Sequence, residues 1–261
     1  LGKTGLKAAE VSFGGIPTQR SDAANTRAVV DALEARGINY IDTARGYTVS
    51  EEYLGAALEG RRDRFILATK SMSRDREGMA RDIETSLANL RTGCIDLYQI
   101  HNLPERDFEQ VFGPEGAFCA LDEARSAGKI GHIGATAHSL DALRRLVEEY
   151  GDRIETVMFP YNIVELQGHD VLAAARARGI GTIAMKPLAG GNLEDWRLAL
   201  RFIAASGVCD ISIPGMGSPE EVERNAAAAE ESSPLREEEL ARCEAVRAEL
   251  GTRFCRRCGY C

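Results

Sequence analysis

Four residues of four chemical kinds stand near the ends of three successive apolar runs. Asp42 and Tyr47 lie in "NYIDTARGY" (39–47), Lys70 closes "FILATK" (65–70), and His101 closes "IDLYQIH" (95–101). A phenol has an ordinary pKa of about 10, which makes it a slow proton donor at neutral pH. An ammonium beside it favours phenolate, and each pKa unit gained that way is about 1.4 kcal/mol of differential interaction. A carboxylate would hold the ammonium charged, and an imidazole would donate to a carbonyl oxygen and orient it. The set therefore reads as a proton donor aimed at the oxygen of a reacting carbonyl. Each member alone has a structural reading: Asp42 caps a turn, Tyr47 packs half-buried, Lys70 leaves the sheet toward water, His101 is a satisfied core histidine. Their coincidence on three successive runs favours the catalytic reading.

Those runs belong to a longer series that must position them. β-rich segments fall at 11–16, 39–44, 65–70, 95–101, 132–138, 156–162, 182–187 and 211–216. Between them lie stretches with apolar residues at three and four spacing, for example 25–37, 79–90, 140–151 and 220–230, several closed by glycine. Ser218 followed by Pro219 reads as a helix start. Strand and helix alternating in this way imply a parallel sheet, and this many units imply a closed (β/α)8 barrel over 1–233, a fold whose chemistry sits where strands end. A further helix at 235–251 and a cysteine-rich tail form an appended segment, 234–261.

Composition narrows the partners. The chain has 261 residues, 44% hydrophobic and 28% charged, with a formal net charge of -8. With no basic cluster beyond short helix-face runs such as "GRRDR" (60–64), it carries no electrostatic footprint for nucleic acid, and a small-molecule substrate is expected. No apolar run approaches the roughly 20 residues of a membrane span, and the opening residues lack the apolar core of a secretory signal. A cytoplasmic, membrane-free protein is expected. The first residue is Leu1 rather than Met, so residues ahead of it are expected to have been removed.

Of seven cysteines, Cys94, Cys119, Cys209 and Cys243 are scattered and read as small buried hydrophobes. Cys255, Cys258 and Cys261 are spaced C-x2-C-x2-C, as the first three ligands of a ferredoxin-type [4Fe-4S] run whose fourth cysteine would lie past the last residue. The bland readings are a thiol-rich terminus or a zinc site completed elsewhere. Thiolates this close do not suggest a disulfide framework.

"DTARGY", "ATK" and "YQIHN" resemble the catalytic tetrad of the aldo-keto reductases, and the likeness runs from "LGKTGL" (1–6) through "VSFGG" to "IPGMGSPEEVERN" (213–225). The resemblance implies reduction of an aldehyde or ketone to an alcohol by direct hydride transfer from NADPH or NADH. Tyr47 would be the general acid, Lys70 and Asp42 its tuning pair, and His101 the orienting group. It places cofactor contacts at Gly14 and Gly15, at Thr136 and His138, at Asn162, at Lys186, Leu188 and Gly190, and at Gly215, Met216, Gly217, Ser218, Glu221 and Asn225. No G-x-G-x-x-G follows a strand, consistent with an extended cofactor across a barrel mouth rather than a Rossmann site.

Some positions depart from the family pattern. Thr136 and Ala137 stand where many members have Ser-Asn, and Met158 where many have Gln. Glu221 stands where a basic residue often meets the adenosine 2'-phosphate. That carboxylate makes NADH a real option, with Arg224 near enough in sequence to restore NADPH, the slightly favoured cofactor. The cysteine spacing, with "DTARGYTVSEE", "MKPLAGG" and "IPGM", resembles a sub-branch carrying a ferredoxin-like extension, here cut short, and an electron-transfer partner. The competing readings are a cofactor-binding sensory or regulatory barrel with little turnover, and an iron–sulfur carrier with the barrel as scaffold. Substrate choice is expected in the loops after the first, fourth and seventh strands. Trp196 is expected to pack rather than to line a pocket.

Overall fold

The computed structural model describes residues 1–231 and 233–251. Eight strands lie parallel in chain order: β1 (Phe13–Gly14), β2 (Tyr40–Asp42), β3 (Ile66–Ser71), β4 (Ile95–Ile100), β5 (Ile130–Thr136), β6 (Thr156–Pro160), β7 (Gly181–Met185) and β8 (Ile211–Ile213). Parallel bridges Val11–Ser212 and Gly14–Gly215 join the last strand to the first, so the sheet closes into the expected barrel. Around it run α1 (Ala23–Ala35), α2 (Ser50–Ala57), α3 (Arg76–Asn89), a short α4 (Phe108–Phe112), α5 (Ala117–Ser126), α6 (Leu140–Glu148), α7 (His169–Ala177), α8 (Trp196–Ser206) and α9 (Pro219–Ala229). Helix α10 (Glu237–Leu250) follows the last unit.

Local chemistry starts these helices. Asp22, Asp75, Ser139, Asp195 and Ser218 each accept the backbone N–H three residues on, at the N-termini of α1, α3, α6, α8 and α9. The helix start expected at Ser218 is present, with the fixed φ of Pro219 setting the first turn of α9. β1 is shorter than its apolar run because Gly15 turns at once into a 3-10 segment carrying Pro17.

Alternation along the strands decides what enters the barrel. Tyr40, Ala68 and Leu97 pack inside it with Met158, Ile183, Met185, Ile211 and Ile213. Two residues further along β2, β3 and β4, the same face carries Asp42, Lys70 and Gln99, and the step after Gln99 is His101. The polar layer therefore sits on an apolar floor at the C-terminal end of the strands. The other strand faces meet the helices in a second, larger core.

Helix α10 docks on α8. Buried Cys243 joins a cluster with Ile163, Leu193, Leu198 and Ala199. Arg201, 2% exposed, is held by Glu231 and Glu239, each at 3.1 Å. The cysteine expectations divide: Cys209 and Cys243 are buried, whereas Cys94, in the connection before β4, is exposed and Cys119, on α5, is half-exposed. Cys255, Cys258 and Cys261 lie outside the described residues. Among the described residues no helix is long and apolar enough to cross a membrane, and no group of three His, Cys, Asp or Glu side chains could hold a metal ion.

Candidate active site

The four residues singled out by type converge. The Lys70 ammonium donates to Asp42 Oδ1 and, at 2.8 Å, to the Thr43 carbonyl. It lies 4.9 Å from the centre of the Tyr47 ring. The His101 ring stands edge-on to Tyr47, with 6.0 Å between ring centres and an interplanar angle of 89°. Asp42, Lys70 and His101 are each 2% exposed, and Tyr47 is half-buried at their mouth.

The loop carrying Tyr47 is tied to the neighbouring strand. Thr43 N–H donates to Ala68 O and Arg45 N–H to Lys70 O, both at 2.9 Å, and Tyr47 N–H closes a turn on Ala44 O at 3.0 Å. The chain then passes through Thr48 at φ 44° and enters α2. Asp42 thus stays at the strand end while the phenol reaches back over Lys70.

Gln99 is a member of this layer that residue type alone does not single out. Its amide donates to Asp42 Oδ2 at 3.3 Å, so Asp42 has one oxygen on Lys70 and the other on Gln99. The signal lies in the alternation of β4, which places Gln99 on the inward face two residues before His101.

Burial dominates the electrostatics. Desolvation pushes the Asp42 carboxyl up, against the opposing pull of Lys70 and Gln99. Desolvation, then the Asp42 charge, pushes the Tyr47 phenol well above its ordinary value. The expected lowering by Lys70 is not seen: the shift is upward, with burial of the ring and the Asp42 charge as its causes. His101 is pushed down to about 2, first by burial and then by the charges of Lys70, His138 and Arg74. That shift favours the neutral imidazole over the imidazolium. NMR titration of the His101 ring is expected to show no inflection between about pH 5 and 8; a midpoint in that interval would contradict this assignment.

A cavity of about 460 Å³ opens over these groups and runs across the barrel mouth. Of the expected cofactor positions, Gly14, Gly15, Thr136, His138, Lys186, Leu188, Gly190, Gly215 and Glu221 line it. Arg20, Pro17 and Arg224 line it as well. Asn162, Met216, Gly217, Ser218 and Asn225 are not among its lining residues. Asn162 is consumed internally: its amide donates to Lys186 O and to Glu165 Oε2, both at 2.9 Å, which braces the loop after β7. Thr136 Oγ1 accepts Asn102 N–H at 2.7 Å, and Asn102 in turn holds His138 Nδ1 at 2.8 Å. Ser218 caps α9, and Glu221 accepts Gly217 N–H at 2.6 Å.

The glycines divide by cause. A Cβ on Gly14 would stand 2.6 Å from Ile213 O, so closure of β8 on β1 requires that glycine, and one on Gly15 would stand 2.5 Å from Asp42 O, so the close approach to the end of β2 requires the other. A Cβ on Gly215 would instead meet the Pro17 ring at 3.1 Å. Trp196 opens α8 outside the cavity lining, packed on the core with the Arg224 guanidinium 5.5 Å from its ring.

Comparison with known proteins agrees with this geometry. Residues 10–198 match the model of the aldo/keto reductase family. The chain belongs to the aldo-keto reductases. It is 28% identical to the L-galactose dehydrogenase of Arabidopsis thaliana, over 94% of this chain and 92% of that one. It is 29% identical to a 6-dehydroglucose reductase of Novosphingobium aromaticivorans, over 74% and 69% of the two chains. In structure it is similar to the holo form of an aldo-keto reductase from Bacillus halodurans, with a TM-score of 0.80, 25% identity and 94% of both chains covered.

This aldo-keto reductase is therefore an NAD(P)H-dependent oxidoreductase. Its residues suit such a dinucleotide. Both amide atoms of fully buried Asn225 lack a hydrogen-bond partner among the described residues, one helical turn beyond Glu221 on α9. Lys186, Arg20 and Arg224 bring cations to the cavity wall, where an anionic cofactor would lie.

Proposed function

We propose that this aldo-keto reductase reduces an aldehyde or ketone to an alcohol, with Tyr47 donating the proton. The observation that carries the reading is the convergence of Tyr47, Lys70, Asp42 and His101 on one cavity. Bound NAD(P)H would supply the hydride.

The protein's own groups would do the rest. Burial keeps the Tyr47 phenol protonated until a carbonyl oxygen is placed on it. When the proton leaves, the phenolate forms beside the Lys70 ammonium, whose charge is shared with Asp42 and the Thr43 carbonyl. Neutral His101 offers an N–H to the same oxygen, holding it toward Tyr47. The groups are already oriented, so little reorganisation accompanies the transfer.

The test is oxidation of NADPH and of NADH against a panel of aldehydes and ketones, wild type beside Tyr47→Phe. Hydroxylated sugar carbonyls head the panel because of the names of the two relatives above. Carbonyl-dependent oxidation by wild type is expected, and its absence across the panel would favour the barrel with little turnover.

NADPH is the proposed cofactor. Glu221 contributes one negative charge to the cavity, but Arg20 and Arg224 line it too, and no carboxylate pairs with either among the described residues. Two cations outweigh one anion near a phosphate. Arg224→Ala is expected to weaken NADPH binding about 10-fold and NADH binding far less, as lost charge-assisted hydrogen bonds would. Fluorescence titration of both cofactors checks this; equal losses would remove the 2'-phosphate role.

The [4Fe-4S] cluster and its electron-transfer partner rest on the spacing of Cys255, Cys258 and Cys261 and on the likeness of "DTARGYTVSEE", "MKPLAGG" and "IPGM" to the cluster-bearing sub-branch. Anaerobic reconstitution and EPR on a chain extended past Cys261 test them. Division of the chain at 233 and a cytoplasmic setting are part of the same reading.

A further inference from the structure

Behind the catalytic layer, on the helix-facing side of β3, lies a second polar cluster with no place in the proton transfer. Thr69 and Ser71 flank Lys70 on that strand and point away from the barrel interior, as alternation requires. Thr69 Oγ1 donates to Glu51 Oε1 at 2.8 Å, and Ser71 Oγ donates to Asp82 Oδ2. Ser73 Oγ adds a bond to the same Asp82 oxygen at 2.7 Å, and Ser86 Oγ one to Glu51 Oε1 at 2.7 Å. Both carboxylates are thereby anchored on either side of Lys70.

Arg45 joins them. Its Nη1 lies 2.6 Å from Glu51 Oε2 and its Nε 3.7 Å from Asp82 Oδ1. Its backbone N–H donates to the Lys70 carbonyl at 2.9 Å. Glu51 is 1% exposed, so this is no surface ion pair, and removal of Arg45 would strand a buried charge. Arg45 stands two residues before Tyr47, and in the 43–49 loop it is the side chain that adds charged contacts to the backbone bonds already tying Thr43 and Arg45 to β3.

We propose that Arg45, clamped between Glu51 and Asp82, is a positioning residue that fixes the Tyr47 loop in register with Lys70. The inference rests on Tyr47 and Lys70 acting together as in the preceding section. The loop carries the acid and β3 carries the cation, and only the correct spacing between them lets the ammonium receive the phenolate. A displacement of about 1 Å in such a pair costs about 10²-fold in rate.

The experiment compares wild type with Arg45→Gln, Arg45→Lys, Glu51→Gln and Asp82→Asn. Amide hydrogen exchange is expected to rise within 43–49 and 69–73 in Arg45→Gln and to stay unchanged in β5 to β8. Carbonyl reduction by that variant is expected to lose about 10- to 100-fold in kcat, with the NADPH Kd unchanged and partial recovery in Arg45→Lys. Asp82 is half-exposed, and Asp82→Asn gives the same local exchange signature if the Arg45 and Glu51 variants do not fold. Unchanged exchange in 43–49 in a folded Arg45→Gln or Asp82→Asn overturns the proposal, as does a kcat equal to that of wild type. Exchange is measured without turnover, so failure of the clamp and failure of the reductase reading give different results.

Discussion

Tyr47→Phe is expected to bind NADPH as wild type does and to lose about 10²- to 10⁴-fold in carbonyl reduction, the usual contribution of a positioned general acid. The substitution removes one oxygen from a half-buried ring and leaves the edge-on contact with His101 available. Little stability should be lost, because the phenol's burial raises the cost of its ionised form rather than supplying a needed bond. The loss belongs in kcat, since a proton donated only in the transition state leaves ground-state binding untouched. Steady-state rates together with a cofactor Kd by fluorescence separate the two. Activity within about tenfold of wild type would mean that another group supplies the proton.

Lys70→Met should damage both function and fold. The ammonium is 2% exposed and is the charged partner of an equally buried Asp42, so the variant retains a carboxylate with only Gln99 to satisfy it. Breaking one side of a buried pair typically costs about 3–5 kcal/mol. The deficit is pH-dependent with a definite sign. Burial already raises the Asp42 pKa in the folded state, and loss of Lys70 removes the largest opposing influence. Between the unfolded pKa and the higher folded one, the native variant binds more protons than the unfolded chain, so its stability falls as pH rises through that interval. Urea denaturation should therefore show a smaller gap from wild type at about pH 5 than at about pH 7. An equal gap at both values would mean that Asp42 is not the group left unpaired.

The barrel was legible because strand and helix periods alternate without interruption from 11–16 to 220–230. The candidate site was legible because four scarce chemistries fell at matching strand ends. Gln99 is harder to see, because one amide on an apolar strand looks like any tolerated polar residue until the inward face is counted. The phenol's raised pKa was not readable, because proximity of a cation can be guessed from strand order whereas the depth of burial around a loop side chain cannot. Asn162 shows the same difficulty: its position pointed to a ligand, and its amide is spent on Lys186 and Glu165. Arg45 and Glu51 are ordinary letters around a helix start, given meaning only by the hydroxyls on either side of Lys70.

The placement of Tyr47 on a short loop bound to β3 has a consequence for how such a protein can change. On the proposed reading, proton delivery depends on β2, β3 and β4 and on backbone bonds between them. The segments after β1 and β7 line the same cavity without carrying the acid or its ammonium. They can lengthen, shorten or exchange residues while the acid and cation stay in place. On that reading chemistry and recognition are mounted on separate parts of the scaffold, so a lineage could trade one substrate for another without rebuilding its reaction.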